Sequence, residues 1–117
     1  MNRTLAACAL VAVTSGLTLP ADLHAAEVAL RGASSCALWT KGRAQDDAKY
    51  EKAWLAGYFS GLAIALDIDF WGTKGDDVLD NEKAWKSVDD YCAANPEKSL
   101  VQAAEKLFIE RMHRAAK

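Results

Sequence analysis

The side chains able to do chemistry in this chain are Cys36, Cys92, the pair Asp89-Asp90, His113 and the aspartates of segment 67–80. Asp67-x-Asp69-x-x-Gly72 begins like a calcium loop. Such a loop needs an oxygen ligand at its fifth position and a bidentate Glu at its twelfth. Trp71 and Val78 stand there instead, so the segment reads as a solvated acidic loop. Asp89 and Asp90 are neighbours in sequence, but adjacent helix positions diverge by about 100°. Both are expected on the outer face, not as a general acid–base pair. No Ser, Cys or Asp is spaced to make a triad with His113, and no glycine-rich phosphate loop is present. The expectation is a non-enzymatic protein with neither cofactor nor metal.

The two cysteines take their meaning from the start of the chain. Met1-Asn-Arg-Thr precedes an apolar run from Leu5 to Leu19, then Pro20 and the small-residue exit His24-Ala25-Ala26. A short apolar region after one positive charge, with small residues at its end, describes a secretory signal peptide over residues 1–26. Cleavage fits after Ala25 or Ala26. Cys8 lies too early for lipoprotein processing and leaves with the leader. The remaining segment, 27–117, is one domain carrying Cys36 and Cys92. An even cysteine count in a small exported domain reads as a structural disulfide. The spacing is too wide for a redox pair, and one remaining histidine is too few for zinc. The expected location is the periplasm.

The chain carries 14 Lys and Arg against 16 Asp and Glu, a net charge of −2. Losing Arg3 and Asp22 with the leader leaves that balance unchanged. Both signs are interspersed, which argues against nucleic acid or anionic lipid as partners.

Four helices must position these residues. Ser34 or Ser35 can cap a first short helix carrying Cys36, Leu38 and Trp39, with Gly42 suited to its C-terminal end. Asp46-Asp47 can cap a long second helix from about Ala48 to about Asp69. Its stretch from Ala53 to Leu66 holds no charge, and a helix apolar nearly all round wants protein on every side. It is also too short to span a membrane. It is therefore expected to be the central, buried helix. Gly57 and Gly61 leave a groove along it into which a helix or ring could settle, with Trp54, Tyr58 and Trp85 as core or groove residues. Asp80 or Asn81 opens a third helix with Ala84, Trp85, Val88, Tyr91 and Cys92 on one face. Asn95-Pro96 stops it. Ser99 and Gln102 form a capping box for a fourth helix that turns Leu100, Ala103, Ala104, Leu107 and Phe108 inward. Glu110 and Arg114 are spaced to pair. No alternating strand pattern of useful length occurs, so the fold is all-α. The loop residues Phe70 and Trp71, beside Asp67 and Asp69, are the expected interaction surface, with Trp71 the most exposed tryptophan.

A cysteine on an early short helix, Trp54-x-x-Gly57-Tyr58 on the next, and Tyr91-Cys92-x-x-Asn95-Pro96 before a final helix make a combination that resembles one family. It is similar to the HdeA/HdeB family of periplasmic acid-stress chaperones, over roughly Ser35 to Phe108. The resemblance implies an HdeA-like domain with a Cys36–Cys92 disulfide. It also implies a homodimer that dissociates and partly unfolds in acid, exposing apolar surface to unfolded client proteins. The longer apolar helix with its extra Gly61 and the Asp-Phe-Trp loop depart from that pattern. A second resemblance, through Gly57-Tyr58-x-x-Gly61 and the Asn-Pro stop, is to Tai-like immunity proteins that neutralise cell-wall amidase effectors of type VI secretion. It implies a protein partner instead of unfolded clients.

Overall fold

A computed structural model describes residues 30–115; the segment 1–26, expected to be a signal peptide, lies outside the described residues. Four helices follow in order: α1 (Cys36–Ala44), α2 (Lys49–Leu66), α3 (Asn81–Ala94) and α4 (Leu100–Ala115), with a 3-10 turn at Gly75–Asp77. Among the described residues there is no strand, only an isolated bridge between Ser35 and Ser99. The Cys36–Cys92 disulfide is formed. This is a small all-α, disulfide-linked domain.

Ser35 caps α1 by accepting from the Leu38 amide at 3.2 Å. Gly42 lies inside α1, not at its end. The chain entering α2 folds back over it, and the Asp47 amide donates to the Gly42 carbonyl at 2.8 Å. A Cβ at Gly42 would lie 2.9 Å from the Asp47 carbonyl oxygen and 3.3 Å from the Ala48 Cβ, so the glycine serves this close approach. Asp46 takes a left-handed conformation at φ 52 within that turn. Neither Asp46 nor Asp47 caps α2, whose N-cap position is Ala48 and makes no side-chain hydrogen bond. α2 ends at Leu66, earlier than expected, because Asp67 adopts the left-handed conformation and the Ile68 amide reaches back to the Ala63 carbonyl at 2.9 Å. Asp is among the few non-glycine residues that tolerate this terminator.

α3 and α4 follow their sequence pattern. Asp80 caps α3 through the Lys83 amide at 2.8 Å. Ala84, Trp85, Val88 and Cys92 are buried, as are Leu100, Ala103, Ala104, Leu107 and Phe108 on α4. Ser99 and Gln102 make the reciprocal capping contacts. Glu110 pairs with Lys106 on the preceding turn.

The centre of the fold is α4, which packs on each of the other three helices, while α1 lies on α3 and α2 packs chiefly on α4. The bridge Cys36–Cys92 joins α1 to α3, and beside it the Cys36 and Leu100 amides pair with the Lys98 and Ser34 carbonyls at 2.9 Å each. α2 is held differently. Phe70, from the loop after it, stacks between Phe59 on α2 (4.5 Å between centroids, 17° between planes) and Phe108 on α4 (5.2 Å, 8°). Phe70 is 1 % exposed, which corrects its expected place on the interaction surface. Trp71 is half-buried, edge-on to Phe59 and Phe70 at 5.8 and 4.8 Å, and its indole N–H donates to the Ser60 hydroxyl at 3.3 Å. Both rings turn inward because the flanking segment is pinned. The buried guanidinium of Arg111 donates through Nε to the Phe70 carbonyl at 2.8 Å, and through its terminal nitrogens to the Asp77 carboxylate and carbonyl at 3.0 and 2.8 Å.

Phe70→Ala is expected to lower unfolding stability by about 3–5 kcal/mol, the usual range for emptying a buried phenylalanine site. Trp71→Ala costs less, since part of that ring faces water; equal losses in denaturant titration would contradict the stacking role. Reduction of Cys36–Cys92 should cost about 4 kcal/mol in the chain-entropy account, read as a lower denaturation midpoint.

Candidate functional site

α2 carries four of the expected site residues, Trp54, Gly57, Tyr58 and Gly61. On it only Leu55 and Phe59 are fully buried, with Trp54, Ala56, Tyr58, Leu62 and Ala63 packed against the core at its margin. Ala53, Gly57, Gly61 and Ala65 recur every fourth residue, so they make one row along the helix, and all four are exposed. Ile64 is 83 % exposed beside that row. The expected burial on every side is therefore corrected: α2 covers the domain with one face and presents a second apolar face outward. Among the described residues, nothing within 4 Å would meet a Cβ at Gly57 or Gly61. No described helix or ring occupies the groove expected to receive one, and each glycine weakens the helix by about 1 kcal/mol relative to alanine.

Trp54 and Tyr58 stack on each other at 5.0 Å and 13°. The Trp54 indole N–H donates to the Arg31 carbonyl at 3.0 Å, fastening the lead-in to the first turns of α2. The Tyr58 hydroxyl is held above its ordinary pKa by burial and, secondarily, by the Glu105 carboxylate. Trp85 does not join these residues. It sits on α3, edge-on to Trp39 at 6.2 Å, as part of the core.

The loop residues do come together. Ala63, Ile64, Asp67, Ile68, Asp69, Phe70 and Trp71 line one open groove of about 500 Å³ at the C-terminal end of α2. Asp67 and Asp69 are exposed at its rim, and Asp69 accepts from the Gly72 amide at 3.0 Å. Trp71 and Phe70 form its wall, so the aromatic pair shapes the groove without projecting from it. Among the described residues, no group of three or more His, Cys, Asp or Glu is placed to hold a metal ion.

One further group was expected on the surface and is not there. Asp89 is half-buried and accepts from the Trp39 indole N–H at 2.7 Å. It also accepts from Arg43 through Nε and a terminal nitrogen, at 3.1 and 2.9 Å. That bond holds the Arg43 guanidinium above its ordinary pKa, while the guanidinium lies 5.6 Å from the Trp39 ring centroid. One carboxylate thus ties α1 to α3 on the flank of the disulfide. Asp90, by contrast, is exposed and pairs with Lys86 at 2.9 Å, raising that ammonium's pKa. The separation of the two aspartates was legible in principle: Asp89 lies four residues after Trp85 and three before Cys92, at the edge of the buried stripe. Arg111 carried a similar signal, three residues after Phe108 and four after Leu107 on the inward face of α4.

No family model, curated protein or solved structure matches the chain. Its functional reading rests on the residues themselves.

Asp89→Ala is expected to destabilise the fold by about 2–3 kcal/mol, because a buried indole N–H and a guanidinium lose their acceptor together. Asp90→Ala should stay within about 0.5 kcal/mol. Comparable losses in urea titration would contradict the assignment.

Proposed function

We propose that this chain is an exported, non-enzymatic protein-binding domain that works as an acid-responsive chaperone. It would take up unfolded clients on aromatic surface released when carboxylates are protonated. The observation that carries this reading is the Asp89 contact. α1 is held to α3 by a carboxylate that accepts from Trp39 and Arg43 at once, so one side chain carries the join between two helices. A second carboxylate, Asp77, anchors the loop bearing Phe70 through Arg111. Loosening either contact would uncover Trp39, Phe59, Phe70 or Phe108, while the disulfide keeps α1 and α3 tethered.

Linkage acts in the same direction at the start of α3. Hydrogen bonding from the Lys83 amide lowers the pKa of Asp80. Its contribution to stability is complete above the unfolded value of about 3.9 and is lost as pH falls through the lower folded value. Arg43 and Lys86, whose pKa values are raised, contribute at all lower pH and lose their stabilising effect only in alkali.

A second reading follows from surface already present in the folded chain. The open row of α2 and the groove between Ile64, Asp67 and Trp71 would suit a constitutive binding or immunity protein directed at a cell-wall-targeting effector.

Acidification of the disulfide-linked chain from about pH 7 to about pH 2 separates the two readings. Tryptophan fluorescence should shift to the red, an apolar dye should bind, and aggregation of an acid-denatured client enzyme should be suppressed over the same range. Asp89→Asn, which removes the charge but keeps an oxygen, should move that transition to higher pH. A native signal unchanged down to the lowest pH would reject the chaperone reading and leave constitutive binding.

A further inference from the structure

We propose that the groove at the C-terminal end of α2 receives an arginine side chain carried on an apolar segment of a protein partner. Such docking rests on the reading of this groove as constitutive surface of the folded chain and is independent of acid release. Ile68 and Trp71 line the groove half-buried. Ile64 lines it too and is 83 % exposed, so apolar area is left for a partner to cover.

The occupant follows from charge complementarity. α2 has no basic residue in its last turn, where a cation would meet the negative end of the helix dipole. Asp67 at its C-cap and Asp69 instead place two exposed carboxylates on the groove. Among the described residues neither lies within ion-pair distance of a basic side chain, whereas Asp77, Asp80, Asp89 and Asp90 all do. The Gly72 amide takes one Asp69 oxygen, and the other can accept a further donor. No set of three ligands is placed for a metal ion among the described residues. A guanidinium can bond a carboxylate in a fork and also pack against an indole, as Arg43 does in this domain with Asp89 and Trp39. The groove offers the same pair of partners, a carboxylate and Trp71. Its negative charge repels nucleic acid and anionic lipid. Being open, it does not enclose the roughly 70–90 % of surface that a small ligand needs covered, so the cation arrives on a chain whose apolar neighbours cover Ile64.

The folded, disulfide-linked chain can be titrated near neutral pH with a blocked synthetic peptide that sets one arginine between leucines, and with its glutamine-for-arginine counterpart. The arginine peptide should move the amide and indole chemical shifts of residues 63–71, which include the groove. It should bind about fivefold or more tighter than the glutamine peptide, a difference that shrinks as salt is raised. Asp67→Asn combined with Asp69→Asn should abolish that difference. Asparagine tolerates the left-handed conformation of residue 67 and can still accept from the Gly72 amide, so the thermal melt should stay near that of the parent. Equal affinity of the two peptides at the groove, or a difference that survives in the folded double variant, would overturn the arginine assignment and leave the groove as a constitutive binding surface. Shifts confined to other residues, or no binding of either peptide, would overturn the docking site itself.

Discussion

The covalent tie between Cys36 and Cys92 is the constraint on which the other contacts depend. It fixes α1 against α3 at a Cα separation of 4.9 Å, and the Ser35–Ser99 bridge closes α1 onto the start of α4 at the same corner. Trp39, Val88 and Leu100 fill the space beside it without exposure. A domain of this size buries too little apolar surface to be generous with stability. A cross-link that removes freedom from the unfolded chain therefore counts for much. Everything from Ala37 to Tyr91 lies inside the loop that the bridge closes, α2 included.

α2 is thus an excursion from the corner, and its attachment is of another kind. It comes back to the body through three stacked rings, Phe59, Phe70 and Phe108, with Trp71 edge-on beside them. Stacking is non-covalent and weakly directional, so the loop bearing Phe70 needs a separate anchor. Arg111 supplies it by bonding to the backbone at both ends of the segment. A guanidinium 6 % exposed is costly to bury unless its donors are used, and here they are. Among the described residues no buried side-chain nitrogen or oxygen lacks a partner.

Asp89 and Asp77 have a common geometry. Each is accepted into a place where two elements meet without regular backbone pairing between them, and each faces an arginine. Such contacts set the relative placement of the elements more than they add net stability. Asp89 joins α1 to α3, and Asp77 helps Arg111 hold the loop that carries Phe70.

Much of the architecture was legible in the chain itself. α3 and α4 have one apolar and one charged face, so periodicity alone told which side goes inward, and Asp80, Ser35 and the Ser99–Gln102 pair marked helix starts by local hydrogen bonding. The disulfide followed from two cysteines in a chain with an export signature. α2 defeated the same reasoning: with no charge over fourteen residues from Ala53 to Leu66, neither face was marked as the outer one. Phe70 and Trp71 misled for the converse reason, since aromatic residues in an acidic loop look exposed until a distant Arg111 turns the segment inward. Local sequence determined where helices begin, how α3 and α4 are faced and that the chain is all-α. Tertiary structure alone decided which side of α2 meets the core and which aspartate is buried, because both depend on side chains 40 to 50 residues away that no local pattern contains.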